Sequence, residues 1–203
     1  MGMKRLLWIA WLGGFAPTAL ASMEWNVAKR GQLKGSGCDS LAQDTFLLDA
    51  GDQFFVVFSK LEVKLDGGSQ LIADAYCTGS IPIAVDGRQY LERVDQVLGY
   101  SWSKSEGSTG KIAAHNKWLG RALKPLNVDL ESWQTGVGAY EEISSQDHLN
   151  WGCKPNDSKK GALDLSFSVL VRRQNPKEES ISINLAGHDI RYTAETVWKD
   201  CPE

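Results

Sequence analysis

The sequence predicts an all-β fold, an antiparallel β-sandwich stapled by two disulfides, and three observations point to it. Apolar residues recur with a period of two in short runs, the pattern of strands with one buried face. Turn residues interrupt those runs at short spacing, without the strand–helix alternation that marks a parallel sheet. Four cysteines, Cys38, Cys77, Cys153 and Cys201, follow an N-terminal segment with the features of an export signal.

That segment comes first. Lys4 and Arg5 make a positive start, and Leu6 to Phe15 an apolar core broken only by Gly13 and Gly14. Ala19 and Ala21 place small residues ahead of Ser22, so residues 1–21 are expected to be a cleaved signal peptide. The apolar run, about ten residues, falls short of the roughly 18 that a membrane-spanning helix needs, so no transmembrane anchor is expected. Residues 22–37 are polar and end in Gly35-Ser36-Gly37, which reads as a flexible leader. Residues 38–203 are then expected to form a single β-sandwich domain, a normal size for one core.

Gln53 to Ser59 (QFFVVFS) is a β-branched and aromatic run typical of a buried strand. Leu61, Val63 and Leu65 then alternate with Lys60, Glu62 and Lys64, until Asp66-Gly67-Gly68 supplies turn chemistry. Gln70 to Tyr76 reads as the next strand and leads into Cys77. Asp86-Gly87 is a second hairpin-like signal, and Pro82 before it argues for an edge or a late strand start. Ile112 to Leu123 fits both a helical and a strand face; the surrounding strands and the glycines at 110 and 120 favour strand. The strongest strand is Leu163 to Val171, with Leu163, Leu165, Phe167, Val169 and Val171 on one face. The period returns at Ile181, Ile183 and Leu185, and again from Ile190 to Trp198. These three runs predict a C-terminal three-stranded meander.

Four cysteines allow three pairings. The sequential one, Cys38–Cys77 and Cys153–Cys201, is the expectation adopted, and each loop closure is worth roughly 4 kcal/mol on the chain-entropy model. No two cysteines form the knuckle that a zinc site requires.

The Gly35-Ser36-Gly37-Cys38 segment, the QFFVVFS strand, Cys77 followed by Ile81-Pro82, and Val94-Asp95 with Gly99 occur here in a fixed order. Trp151-Gly152-Cys153 and Trp198-Lys199-Asp200-Cys201 complete it. In that order the chain resembles a family of small secreted four-cysteine β proteins, a domain of unknown function found in fungi and bacteria. The resemblance implies a secreted, disulfide-bonded β fold and carries no catalytic residues. Members usually have proline after the first cysteine, where Asp39 stands here.

Composition excludes one class. Net charge is −3, and removal of Lys4 and Arg5 makes it −5, so no nucleic-acid partner is expected. The histidines, His115, His148 and His188, fall in no metalloprotease arrangement, and no nucleophile-elbow motif occurs. Glu141-Glu142 and Glu178-Glu179 are adjacent pairs that point to opposite faces of a strand and read as solvated charge. Asp66, Asp86, Asp95, Asp157 and Asp164 form no calcium loop. No metal, cofactor or catalytic residue is assigned. Asn156-Asp157-Ser158 is a glycosylation sequon in a host that uses one.

Tryptophan carries the functional expectation. Trp198 and Trp151 read as packing, while Trp102, Trp118 and Trp133 sit in polar, glycine-rich surroundings suited to a stacking platform. The expected protein is a secreted or periplasmic, non-enzymatic monomer that binds a polysaccharide or cell-envelope component through these three rings. The alternatives are a structural or protein-interaction module, and a hydrolase whose acidic pair is dispersed along the chain.

Overall fold

A computed structural model of the chain describes residues 24–25, 33–39, 45–50, 53–58, 61–66, 68–84, 89–153, 160–175, 180–184 and 191–202. Every regular element among them is a strand: β1 (Glu24–Trp25), β2 (Lys34–Gly35), β3 (Cys38–Asp39), β4 (Thr45–Ala50), β5 (Gln53–Phe58), β6 (Glu62–Asp66), β7 (Ile72–Ala84) and β8 (Gln89–Lys104). Then follow β9 (Ser108–Ala114), β10 (Lys117–Trp118), β11 (Arg121–Ala122), β12 (Leu126–Leu130), β13 (Gly136–Trp151), β14 (Lys160–Arg173), β15 (Ser180–Asn184) and β16 (Arg191–Asp200). No helix among the described residues is long and apolar enough to cross a membrane.

The strands form two antiparallel sheets, each organised on one long strand. In the first sheet β14 pairs with β7 along one edge, and β9 and β10 share the other edge end to end. β12 extends the sheet beyond β9, and β1 and β2 flank β7. In the second sheet β13 lies along one edge of β8, and β15 and β16 share the other. Outside them stand β6 on β15, and β5 then β4 on β16.

The period of two decides which residues meet between the sheets. Leu163, Leu165, Phe167, Val169 and Val171 of β14 are all buried, as are Phe54, Val56 and Phe58 of β5 and Leu61, Val63 and Leu65 around β6. Phe58 meets Phe167 edge-on at 4.7 Å, and Phe167 meets Tyr192 at 5.1 Å, so a file of aromatic edges crosses from one sheet to the other.

Both disulfides follow the sequential pairing. Cys38–Cys77 is buried and fastens β3 to β7. Cys153–Cys201 joins the ends of β13 and β16, the strands on either side of β8, and Cys153 is exposed.

Three expectations change. The C-terminal runs are strands but not a meander: β14 belongs to the first sheet, while β15 and β16 lie end to end on β8 in the second. Their faces are buried as the pattern requires, but periodicity specifies a face and not a neighbour. The strands before and after Asp66-Gly67-Gly68, β6 and β7, likewise lie in different sheets, as do β7 and β8 before and after residues 85–88. Within the 22–37 leader, the described residues Glu24–Trp25 and Lys34–Gly35 pair with β7, and Leu33 is buried.

The segment read as one strand over 112–123 ends at Ala114 and resumes as the small β10–β11 hairpin. Its turn is Leu119-Gly120, with φ of 53° and 79°, the double left-handed conformation that two-residue hairpins use. The signal peptide at 1–21, His188, the Asn156 sequon and the Asp86 and Asp157 positions lie outside the described residues.

Candidate functional site

β12 ends the first sheet on one side and β13 ends the second, and the two edge strands meet along a seam. On β8, Tyr100, Trp102 and Lys104 follow one another on the face turned toward that seam, about 7 Å apart by strand geometry. Tyr100 and Lys104 are buried and Trp102 partly so.

Opposite them β13 carries a bulge. Gly138 pairs with Trp102 and Glu141 with Tyr100, so two residues of β13 face one of β8 between these pairs. Two glycines receive the aromatic rings displaced by it. A Cβ on Gly138 would sit 2.2 Å from Trp102 Nε1, so the indole lies directly over that position. A Cβ on Gly99 would sit 2.8 Å from the Tyr140 ring, which covers the outer face of β8.

The bulge brings Glu141 to the seam. Tyr100 Oη donates to Glu141 Oε2 at 2.6 Å and Trp102 Nε1 donates to Oε1 at 3.0 Å, so each carboxylate oxygen has one fixed donor. Burial first, and then the bond to Glu141, pushes the Tyr100 phenol above its ordinary pKa of 10.0. It therefore remains a protonated donor near neutrality. Neighbouring Glu142 points to the opposite face and accepts a bond from Tyr140 Oη.

Lys104 ties the next element down. Its ammonium donates to Ser105 O and Gln134 O, which fixes the turn between β12 and β13. Burial lowers its pKa, against a smaller opposing effect of Glu106. Gly107 N donates to Ser132 O in the same turn, and Gln134 Oε1 accepts from Glu131 N. On this pinned turn Trp133 is 73% exposed, and Val137 just beyond it is equally open.

The three tryptophans singled out by the sequence thus divide. Trp133 is exposed, Trp102 is a partly buried member of the Glu141 clamp, and Trp118 is 0% exposed among core residues. A ring with no exposed surface offers no stacking face, so of the three the largely exposed ring is Trp133. Sequence reasoning missed Tyr100, Lys104 and the special position of Glu141. The available signal was that Tyr100, Trp102 and Lys104 alternate on one strand, and so had to share a face.

A second polar cluster is structural. Gln96, Asn116 and Tyr192 are buried between the sheets, where Tyr192 Oη and Asn116 Nδ2 both donate to Gln96 Oε1, at 2.9 and 3.1 Å. Gln96 Nε2 donates to Lys124 O and Ser145 Oγ, and Asp147 Oδ1 accepts from Lys124 N. These bonds tie the excursion that carries β10 and β11 to β8 and β13.

A depression of about 250 Å³ opens on the outer face of the first sheet among Thr109, Lys111, Asp129, Glu131, Leu170 and Arg172. Lys111 and Asp129 face each other across it at 3.7 Å, with both side chains largely exposed. His115 and His148 are exposed, Asp95 is paired with Arg93 at 2.9 Å, and no group of metal-ligating residues occurs among the described residues.

No family model matches the chain, and no curated protein does. Among solved structures it is similar to an arabinose-bound α-L-arabinofuranosidase, at 12% identity and a TM-score of 0.29, over 80% of this chain and 24% of that one. It is also similar to the enzymatically active domain of tailspike protein 4 of bacteriophage CBA120, at 15% identity and a TM-score of 0.30, over 88% of this chain and 20% of that one. The chain therefore spans about a quarter or less of the length of either protein, and likeness at these scores carries no argument about its chemistry.

Proposed function

We propose that this is an exported, non-enzymatic binding protein of the four-cysteine β family it resembles, and that it holds a polysaccharide or cell-envelope glycan at the Trp133 end of the β12–β13 seam. The observation that carries this reading is the exposure of Trp133 on a turn fixed from below by the buried Lys104 ammonium. An indole 73% open to water offers a flat apolar face, and a fixed turn presents it at low entropic cost. A sugar ring offers a flat C–H face of matching size.

Two disulfides, one of them at an exposed cysteine, suit an oxidising compartment outside the cytosol. The test is binding of the purified, oxidised protein to a broad glycan panel, with Trp133→Ala alongside. Saturable binding that Trp133→Ala abolishes, without a change in melting temperature, supports the reading. Binding unaffected by that substitution places the site elsewhere, and turnover of any glycan by the wild type overturns the non-enzymatic assignment.

A further inference from the structure

We propose that the depression on the outer face of the first sheet binds a small zwitterion, an amino acid or short peptide with a free carboxylate, a free ammonium group and an aliphatic side chain. Trp133 does not line it. Strand register places its walls. Asp129 of β12 pairs with Lys111 of β9, and Lys111 with Leu170 of β14. Two residues along, about 7 Å away, Thr109 pairs with Arg172, and Glu131 follows the Leu130–Gly110 pair and so stands beside Thr109. The short Thr109 side chain thus lies between a carboxylate and a guanidinium whose backbones are two strand spacings, about 10 Å, apart. All of these residues line the one depression.

The lining carries two cations, Lys111 and Arg172, and two carboxylates, Asp129 and Glu131, so its charge sums to zero and selects neither a simple anion nor a simple cation. These charges are not consumed by one another. Lys111 and Asp129 meet at 3.7 Å with exposed side chains, an arrangement worth little in water. Among the described residues the Arg172 guanidinium and the Glu131 carboxylate have no ion-pair or side-chain hydrogen-bond partner.

A guanidinium presents paired N–H donors that match a carboxylate, and a carboxylate offers acceptors that the three donors of an ammonium group satisfy. Opposite charges on facing walls therefore fit a ligand that carries both. A volume of about 250 Å³ lies below the roughly 300–1,000 Å³ of pockets that take drug-sized ligands, so the ligand is small. Apolar surface adjoins the cationic wall: Leu170 is partly buried in the lining, and Ile72, the cross-strand partner of Arg172, is 52% exposed. An aliphatic side chain next to the ligand's carboxylate covers that surface.

The experiment follows backbone amide shifts of the purified, oxidised, isotope-labelled protein by NMR during titration with L-leucine, dileucine and trileucine. N-acetyl-leucine, which lacks the ammonium group, and leucinamide, which lacks the carboxylate, are titrated alongside. At least one of the three zwitterions should saturate, with the largest shifts at residues 109–111, 129–131 and 170–172. Both capped forms should bind at least about tenfold more weakly. The tightest of the three zwitterions tells a free amino acid from a peptide as the ligand.

Arg172→Gln should weaken zwitterion binding by about tenfold or more without weakening leucinamide, and Glu131→Gln should do so without weakening N-acetyl-leucine. Both positions are exposed, so melting temperatures should match wild type, and Glu92→Gln near the start of β8 is the distant control. The comparison of capped and uncapped ligands on wild type decides the matter even without the variants. Absence of saturable binding by all three zwitterions, equal or tighter binding of either capped form, or largest shifts outside these three segments would overturn the inference.

Discussion

The indole of Trp102 lies over Gly138: a methyl at that position would stand 2.2 Å from Nε1 and 2.7 Å from Glu141 Oε1. The contact is made within a backbone pair, since Gly138 and Trp102 are direct partners across β13 and β8. Gly138→Ala should therefore displace the indole and break its bond to Glu141. Overpacking of this kind costs about 1–3 kcal/mol. A shift in tryptophan emission together with a lower urea midpoint is the expected outcome; an unchanged spectrum would show that the ring does not occupy this position.

Trp118 and Trp133 should respond oppositely to truncation. Trp118→Ala removes a fully buried ring and should cost about 3–5 kcal/mol. Trp133→Ala removes an exposed one and should stay within about 0.5 kcal/mol of wild type. Urea unfolding of the two variants under one set of conditions makes the comparison.

Alkaline pH should loosen the fold through its buried phenols. Tyr100 and Tyr192 are both raised above 10.0, each first by burial. The unfolded chain then loses these protons before the native one does, so stability is intact below about pH 10 and falls as pH rises toward the native values. Lys104 has the opposite sign. Its native value is lowered from 10.5 by burial, so it adds stability as pH rises between that lowered value and 10.5. Tyr100→Phe or Tyr192→Phe should flatten the alkaline fall in urea midpoint, and Lys104→Met should steepen it.

The Asn116 side chain links two partners, the Gln96 side chain and the Ser166 backbone N–H. Asn116→Ala leaves the Ser166 N–H without its 3.1 Å acceptor and removes one of the two donors to Gln96 Oε1. A buried donor left unsatisfied costs about 1–3 kcal/mol. The fall in melting temperature should exceed that of Gln146→Ala on the exposed face of β13.

The two disulfides should differ in access. Cys153 is exposed, whereas Cys38 and Cys77 are buried to within 1%. Graded dithiol treatment of the folded protein should open Cys153–Cys201 first, read as maleimide mass shifts on peptides containing Cys153 and Cys201. Labelling of Cys77 before Cys153 would contradict this.

The faces of the fold were legible in the sequence and its neighbours were not. Alternation along Leu163–Val171 identified the buried side of β14, because a strand between a core and solvent must keep its period. Nothing local to those residues says that β7, β9 and β10 lie beside them, since a partner is chosen by the whole arrangement. Glycine pairs marked where the chain turns, yet the same residues serve a hairpin and a crossing between sheets. Glu141 and Glu142 were placed on opposite faces correctly. The clamp on Glu141 depends on a bulge near Ala139-Tyr140, which shifts the register by one residue and leaves no periodic trace. Trp118 looked polar by its sequence neighbours because its apolar surroundings come from distant strands.

The pairing of β7 with β14 sets Ile72 against Arg172, a hundred residues later, and β8 waits for β13, β15 and β16, all of which follow it in the chain. Contacts this distant form slowly, because the entropy of closing a long loop is lost before the contact rewards it. A chain delivered from its N-terminus onward would thus carry the apolar faces of β5 to β8 uncovered until the last third arrived. The N-terminal two-thirds has no complete sheet of its own to fold into, and the protein should acquire its structure late and all at once.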